Sequence, residues 1–276
     1  IPPDSVLIAE AQALLTASRS WQPGNTYPKV KTFLHKEHDP ARRKSQVWQC
    51  IVSELHKDEI SFNAIWAKLG KNKLWNQKSH ATNIEKVTRI KYFSEWQSIW
   101  TASIAYPPPM SPRVFTVYQT STLLEYSHRR RGIVITLPID LGSKSNENLA
   151  ELEEKGVRGR FVSVEHLQEV NGDIIEWRRV ISIDSGGSIS RCWARRHTEK
   201  RIIDVSKLSF LLIEIENVRW IEWLKTLKQE ETNEENRQEE SPKRSSIGSL
   251  NAQSAKASAD MFHYQDDGTN TETIVG

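Results

Sequence analysis

Four strand-like segments follow one another in the second half of this chain, and they constrain its fold more than any other feature. Each is rich in β-branched and aromatic residues, which favour pleated structure. They span Arg113–Tyr126, Gly132–Leu141, Gly159–Val170 and Asp173–Asp184. Turn residues separate consecutive segments, so the pattern predicts an antiparallel meander.

A long apolar segment follows the meander. Apolar residues recur at helical spacing from Val205 to Val218, and the stretch Leu208–Ile215 reads LSFLLIEI. We therefore expect one long C-terminal helix that is largely buried. An antiparallel sheet curved around one terminal helix is an α+β helix-grip fold, in which a cavity between sheet and helix can hold a ligand.

The first half of the chain predicts shorter elements. We expect a helix at Val6–Leu15 capped by Asp4 or Ser5, and a helix that Ser61 begins and Gly70 ends. The remaining expectations are strands at Val30–His35 and Gln46–Leu55, a weak helix at Leu74–Ile84, one or two strands in Glu85–Trp100 and an extended proline-rich connector at Tyr106–Pro112.

Composition changes abruptly after Gln229. Six glutamates fall between Glu230 and Glu240, and serine-rich sequence follows to Gly276. Such a segment buries too little apolar area to offset its ordering entropy. We therefore expect one domain at residues 1–229 and a disordered acidic, serine-rich tail at residues 230–276.

Charge and cysteine content favour a soluble intracellular protein. The net charge is only +3 with both signs interspersed, and no nucleic-acid-binding motif is present, so we expect no nucleic-acid partner. Two cysteines fit a reducing cytosol. No apolar run approaches the roughly 20 residues that span a bilayer. We expect a cytoplasmic monomer without a cofactor.

Three basic clusters stand out, at Arg42–Lys44, Arg129–Arg131 and Arg195–Arg196. Solvated surface charge is the simplest interpretation, and contact with lipid headgroups at a membrane surface is the alternative. Metal and catalytic signals are poor, because no zinc-ligand spacing, nucleophile elbow or glycine-rich phosphate loop occurs. We assign neither a metal site nor catalytic residues.

Five motifs in chain order carry a family resemblance. They are RVF at Arg113–Phe115, LPID at Leu137–Asp140, GRFVSVEHL at Gly159–Leu167, EWRRVISIDSGGSI at Glu176–Ile189 and IIDV at Ile202–Val205. The series resembles a fungal START-like domain family of unknown function over roughly Leu14–Trp223. The resemblance implies a helix-grip fold whose tunnel binds lipids, sterols or other apolar molecules. It also implies that a few relatives cyclise polyketides.

Two segments depart from the pattern of that family. The second strand reads VWQCIVSEL at Val47–Leu55, where the family tends to carry an arginine and a histidine. The helix start reads SRCWARRH at Ser190–His197, where an apolar-proline turn is usual. These departures weaken the transfer of any polar role at those positions but leave the expected fold unchanged.

The candidate cavity residues come from the meander strands and the terminal helix. They are Arg113, Phe115, Val117, Ile133, Ile135, Phe161, Ser163, Glu165, Trp177, Arg178, Leu208, Leu211, Leu212 and Ile215. Ordinary core packing is the competing interpretation for each apolar position. A lone buried carboxylate is very costly, so an inward Glu165 needs a partner, and Arg113 and Arg178 are the expected ones.

Three functions remain open on the sequence. The first is binding or transfer of a hydrophobic small molecule, a lipid or sterol, without catalysis. The second is a cyclase or dehydratase acting on a polyketide- or terpenoid-like substrate, with Glu165 paired to Arg113 or Tyr118. The third is a structural adaptor without a ligand, which a cavity below about 300 Å³ would favour. Titratable groups that converge on a void would favour the enzyme.

Overall fold

A ten-stranded sheet dominates the part of the chain that the computed structural model describes, which is residues 1–27, 30–39, 44–106, 110–126, 129–142, 146–187 and 213–229. Residues Ile1–Lys225 form one compact unit and Thr226–Gly276 a second. The predicted disorder of the tail falls outside the described residues and stays a prediction.

The strands of the sheet are β1 Gln22–Tyr27, β2 Val30–Asp39, β3 Lys44–His56, β4 Ile84–Ser94, β5 Gln97–Ile104, β6 Arg113–Tyr126, β7 Arg129–Pro138, β8 Val157–Arg158, β9 Arg160–Val170 and β10 Ile174–Asp184. They run in the order β1-β2-β3-β10-β9-β7-β6-β5-β4. The short β8 pairs parallel with the start of β6, and the other described pairs are antiparallel. The predicted meander is confirmed as β6, β7, β9 and β10.

Five α-helices accompany the sheet in the described residues. They are α1 Asp4–Ala17, α2 Phe62–Leu69, α3 Lys73–Lys78, α4 Glu147–Ala150 and α5, whose described part is residues 213–229. Ser61 caps α2 as predicted, because its Oγ accepts a hydrogen bond from the Ala64 amide at 3.1 Å. The predicted cap of α1 is wrong, since Pro3 occupies that position and no side chain bonds the first turn.

Successive side chains on a strand point to opposite faces of a sheet, and different helices cover the two faces here. On one, the α1 face, Leu7, Ala11 and Leu15 pack against strand residues that include Val164 and Val180. On the other, the α5 face, α2 and α5 pack against β7, β9 and β10, and α3 packs against β5 and β6. The expected helix-grip arrangement is confirmed on the α5 face.

The β9–β10 hairpin sets the register on which the site depends. Asn171 and Gly172 in its turn have φ angles of +36° and +65°, which glycine and asparagine adopt at least cost. Val170 pairs with Ile174, and counting away from the turn places Arg179 directly opposite Glu165. Both side chains therefore lie on the α5 face.

Candidate functional site

An apolar pocket lies on the α5 face between the sheet and the helices α3 and α5. Its enclosed volume is about 70 Å³. Strands β5, β6, β9 and β10 form its floor, and the helices with the start of β4 form its walls. The lining residues are Leu74, Gln77, Asn83, Ile84, Ala102, Ile104, Tyr106, Phe115, Val117, Phe161, Arg179, Ile183, Ile213 and Glu216.

Two of those lining residues, Arg179 and Glu216, belong to a buried charged tetrad, which Lys73 and Glu165 complete. Lys73 Nζ donates to Glu165 Oε1, which also accepts from Arg179 Nε at 3.3 Å. Arg179 Nη1 donates to Glu216 Oε2 at 3.1 Å. Two cations thus balance two carboxylates, which is the condition under which buried charges are tolerated.

Two aromatic side chains support the tetrad. Trp177 Nε1 donates to Glu165 Oε2 at 3.2 Å, and the Trp177 ring lies 5.1 Å from the guanidinium of Arg179. His80 places Nε2 at 3.7 Å from Glu216 Oε1 and stacks on Trp223 with ring centroids 5.2 Å apart. The charged layer is therefore bounded by aromatic rings on the sheet and on α5.

Neighbouring charges favour the ionised forms of Glu216 and Arg179. Burial acts to raise the pKa of Glu216, but the charge of Arg179, the contact with His80 and the charge of Lys73 outweigh it and hold that pKa at about 2. Burial likewise acts to lower the pKa of Arg179, and the carboxylates of Glu165 and Glu216 raise it instead. For Lys73 burial prevails, and its pKa is lowered despite Glu165.

Polar bonds attach the first described turns of α5 to the sheet. Glu214 Oε1 accepts from Gln49 Nε2 at 2.5 Å. Asn217 Oδ1 accepts from Arg179 at 3.0 Å, while its Nδ2 donates to Ser53 Oγ at 2.9 Å. These bonds and the Arg179–Glu216 pair are the polar tethers of α5.

The next turn of α5 is attached mainly by apolar packing, beside one hydrogen bond that Arg219 Nη1 donates to Thr82 Oγ1 at 2.8 Å. Trp220, Ile221 and Leu224 are buried against a group of side chains from α2, β7, β9 and β10. Trp66 of α2 and Trp177 of β10 belong to this group, which we call the tryptophan cluster. Trp177 and Trp220 have ring centroids 6.0 Å apart. The tryptophan cluster and the pocket thus occupy two parts of one sheet face.

The structure brings some of the predicted site residues together. Phe115, Val117 and Phe161 line the pocket. Glu165 is a member of the tetrad beside the pocket, and Trp177 donates a hydrogen bond to it. Ser163 is buried on β9. The predicted helix residues Leu208, Leu211 and Leu212 lie outside the described residues.

Three predicted wall residues lie on the opposite face. Ile133 and Ile135 pack in the core beneath α1. Arg178 contacts Glu176 Oε1 at 3.2 Å and Cys50 Sγ at 3.4 Å on that face. Alternation along a strand separates two faces but does not say which one meets the C-terminal helix. The candidate residues of β6, β7 and β9 each share one face of their strand, but Ile133 and Ile135 share the face away from α5. Trp177 and Arg178 are adjacent on β10 and therefore lie on opposite faces.

The expected partners of Glu165 were wrong. Arg113 donates to the carbonyl oxygens of Ser185 and Ser111 and lies over the Tyr106 ring, away from Glu165. Arg179 and Lys73 take the roles that were expected of Arg113 and Arg178. The hairpin turn was a usable signal for Arg179, since counting from it pairs the two residues. Lys73 had no such signal, because it reaches Glu165 from a separate helix.

The buried side of α5 also differs from expectation. Ile215 and Val218 were expected on the apolar stripe, but they are 40% and 39% exposed. Glu216 and Asn217 are buried in their place. A hydrophobic pattern misses such a face, because its burial depends on polar partners that the sheet supplies.

No described helix is both long and apolar enough to cross a membrane. Among the described residues, no group of His, Cys, Asp and Glu side chains is arranged to hold a metal ion. The lining of the pocket offers apolar contact beside an ionised Arg179–Glu216 pair.

Solved structures share this fold. Human STARD10 superposes with a TM-score of 0.54 at 10% identity, over 83% of this chain and 84% of that one. Human StAR-related lipid transfer protein 5 gives a TM-score of 0.50 at 10% identity, over 81% and 97%. No curated protein matches the sequence. Residues 48–211, more than half of the chain, match the family described as "Protein of unknown function (DUF3074)", and the chain belongs to that family.

Proposed function

We propose that this protein binds a hydrophobic small molecule of the lipid or sterol class in the pocket between the sheet and α5. The observation that carries the proposal is the lining of that pocket, which is mainly aliphatic and aromatic but includes the ionised Arg179–Glu216 pair. Such a lining suits a ligand with an apolar body and one polar group. The similar fold of StAR-related lipid transfer protein 5 supports the proposal without identifying a ligand.

Binding requires the pocket to enlarge. Its volume of about 70 Å³ is well below the roughly 300–1,000 Å³ of sites that hold drug-sized ligands. The first described turns of α5 are the wall best suited to move. Their polar tethers can exchange partners with water, at a net cost of about 1 kcal/mol for the neutral Asn217–Ser53 bond and about 1.5–3 kcal/mol for each of the three that involve a charged group. A ligand that buries about 300 Å² of apolar surface gains about 7 kcal/mol, which is of the same order as the summed cost.

Catalysis finds less support. Arg179 and Glu216 do converge on the pocket, as an enzyme would require. A general acid or base works best with a pKa near the operating pH, whereas the pKa of Glu216 is about 2. Glu165 is fully engaged by Lys73, Arg179 and Trp177. This arrangement suits fixed charges better than proton transfer.

A matched pair of variants tests the proposal. Ala102 lines the pocket and Ala11 lies on the α1 face, and both are buried. Native mass spectrometry of protein purified from its own host should detect a co-purifying lipid with the wild type and with Ala11→Leu. The lipid should be lost with Ala102→Leu, which fills the pocket. If no lipid co-purifies and none binds from a panel at about micromolar concentration, the proposal is wrong.

A ligand-free structural adaptor is the second candidate, and the small pocket volume favours it. In that case Ala102→Leu would change neither co-purification nor any activity of the protein. The monomeric state and the cytoplasmic location stay predictions. Size-exclusion chromatography with light scattering and microscopy of a tagged chain measure them directly.

A further inference from the structure

Exposed aromatic side chains gather beside the pocket on α3 and β4. Trp75 of α3 is 55% exposed and Tyr92 of β4 is 57% exposed. Arg89 lies over the Tyr92 ring and lines one groove with Trp75, so the two aromatic side chains lie on the same side of the sheet. β4 is the last strand in the order of the described sheet, so its outer edge has no described neighbour. Exposed aromatic side chains grouped in this way mark an interaction surface.

A basic side chain lies over each of these two rings. Lys78 Nζ is 5.9 Å from the centroid of Trp75. The guanidinium of Arg89 is 5.1 Å from the centroid of Tyr92. We call these four residues the α3–β4 surface. Phe93 is also 44% exposed, but it points to the opposite face of β4 and packs against Tyr118, with ring centroids 6.1 Å apart.

Positive charge is concentrated in this part of the chain. Residues 68–95 contain seven Lys or Arg and two Asp or Glu, a net +5, while the whole chain is +3, so the remainder carries −2. Both acids of the segment are engaged. Glu95 pairs with Lys71 at 2.8 Å, and Glu85 accepts a hydrogen bond from Ser103 at 3.1 Å. Two of the seven cations are compensated from outside the segment, because Lys73 is buried against Glu165 in the tetrad and Lys86 pairs with Glu154 at 2.9 Å. Subtracting these two from the net +5 leaves an excess of +3.

We propose that the α3–β4 surface docks the protein on an anionic lipid bilayer. Tryptophan and tyrosine favour the boundary between headgroups and acyl chains, and basic residues are attracted to anionic headgroups. Leu74 and Gln77 of the same helix α3 line the pocket. On the proposed lipid-binding function, docking would bring the pocket next to the membrane from which a ligand is taken.

Single-stranded nucleic acid is the competing partner for aromatic and basic residues. It binds by stacking bases on ring faces. A cation already lies over one face of each ring in the α3–β4 surface. Insertion into a lipid interface needs no free ring face, so the observed geometry favours the bilayer.

Vesicle sedimentation with the full chain tests the proposal. The protein should bind phosphatidylcholine vesicles that contain about a third phosphatidylserine, and should bind pure phosphatidylcholine vesicles much more weakly. Replacing both Lys78→Gln and Arg89→Gln should reduce partitioning about 25-fold, since each basic residue near the membrane surface contributes about a fivefold factor. Trp75→Ala combined with Tyr92→Ala should also reduce it, because these rings would enter the interface.

Lys31→Gln with Lys36→Gln is the matched control, because it removes the same charge from β2, near the opposite edge of the sheet. An equal loss in the two double variants would overturn the proposal, since attraction would then follow net charge alone. Absence of vesicle binding overturns it too, as does binding of a uridine-rich oligonucleotide in place of vesicles. Ligand binding measured without vesicles should be unchanged in Lys78→Gln/Arg89→Gln, so failure of the pocket and failure of docking are separate results.

Discussion

The pocket and the tryptophan cluster lie on the same face of the same sheet, under the same helix, yet one leaves a void and the other is closed. In the cluster, indole rings from α2, β10 and α5 fill the space, and Trp177 and Trp220 are fully buried. Gly132 allows Trp66 to lie against β7, since a Cβ there would be 2.2 Å from its ring. In the pocket, the small Ala102 occupies the floor and about 70 Å³ stays empty.

The difference in packing between the pocket and the tryptophan cluster follows from side-chain volume and from the position of the charged tetrad between them. Arg179 packs over Trp177 on one side and lines the pocket on the other. Apolar packing holds the tryptophan cluster, whereas polar tethers hold α5 over the pocket. A helix can therefore be anchored at one site and remain displaceable at the next.

Removing one carboxylate of the tetrad should have the largest effect. Glu165→Gln leaves the buried cations Lys73 and Arg179 with one counter-charge. We expect the free energy of unfolding to fall by about 4 kcal/mol, because a broken buried pair leaves an uncompensated charge. Urea unfolding measures it, with Glu54→Gln as the control, because exposed Glu54 should cost less than about 1 kcal/mol. If both variants lost a similar amount of the free energy of unfolding, the tetrad would not be what distinguishes the pocket from the tryptophan cluster.

Removing a buried side chain from the tryptophan cluster should have the second largest effect on the free energy of unfolding. Trp220→Ala should lower the free energy of unfolding by about 3 kcal/mol, near the low end for deletion of a buried tryptophan. The reason is that Trp220 Nε1 has no hydrogen-bond partner among the described residues, so its removal also relieves an unsatisfied donor. The exposed Trp75→Ala should cost less than about 0.5 kcal/mol. A small loss in Trp220→Ala would mean that the tryptophan cluster is not what anchors α5.

Low pH should weaken the Arg179–Glu216 pair that attaches α5 to the sheet over the pocket. Because the pKa of Glu216 is about 2, below its ordinary value of 4.5, its ionised form stabilises the fold. That stabilisation is present above pH 4.5 and is lost as the pH falls towards 2. Glu216→Gln should lose about 3 kcal/mol at neutral pH, and the difference from wild type should shrink on acidification. A constant difference from pH 7 to 3 in urea titrations would contradict this, with the exposed Glu222→Gln as control.

A larger side chain should be tolerated better in the pocket than in the packed core beneath α1. Ala102→Leu places its added atoms in the pocket, so the free energy of unfolding should change by less than about 1 kcal/mol. Ala11→Leu adds the same atoms to the packed core beneath α1 and should cost about 1–3 kcal/mol. Thermal unfolding of both variants makes the comparison. Equal costs would show that the pocket is already packed as tightly as a core.

The smallest expected effect concerns a single tether. Ser53→Ala leaves Asn217 Nδ2 without its acceptor and should cost about 1 kcal/mol. Ser163→Ala removes a buried hydroxyl that has no partner among the described residues, so it should be neutral or slightly stabilising. Urea unfolding of the two variants measures both values. A loss in Ser163→Ala as large as that in Ser53→Ala would mean that the Ser163 hydroxyl has a partner outside the described residues.

Local signals predicted much of the sheet. β-branched runs and turn residues located β6, β7, β9 and β10. They missed β1, since the elements expected in the first half of the chain include no strand before Val30. They also gave no indication that β10 pairs with β3, since that contact joins strands far apart in the chain.

The sequence by itself determined the strands of the meander, the helix-grip class and the family, because these depend on periodicity, turn chemistry and an ordered series of motifs. Only the tertiary structure decided which face of each strand meets α5 and that Lys73 completes the tetrad with Glu165. It also decided that Glu216 and Asn217 are buried where Ile215 is exposed. The physical reason is that burial of a charge depends on its partners, and here those partners come from β9, β10, α3 and α5, which only folding brings together.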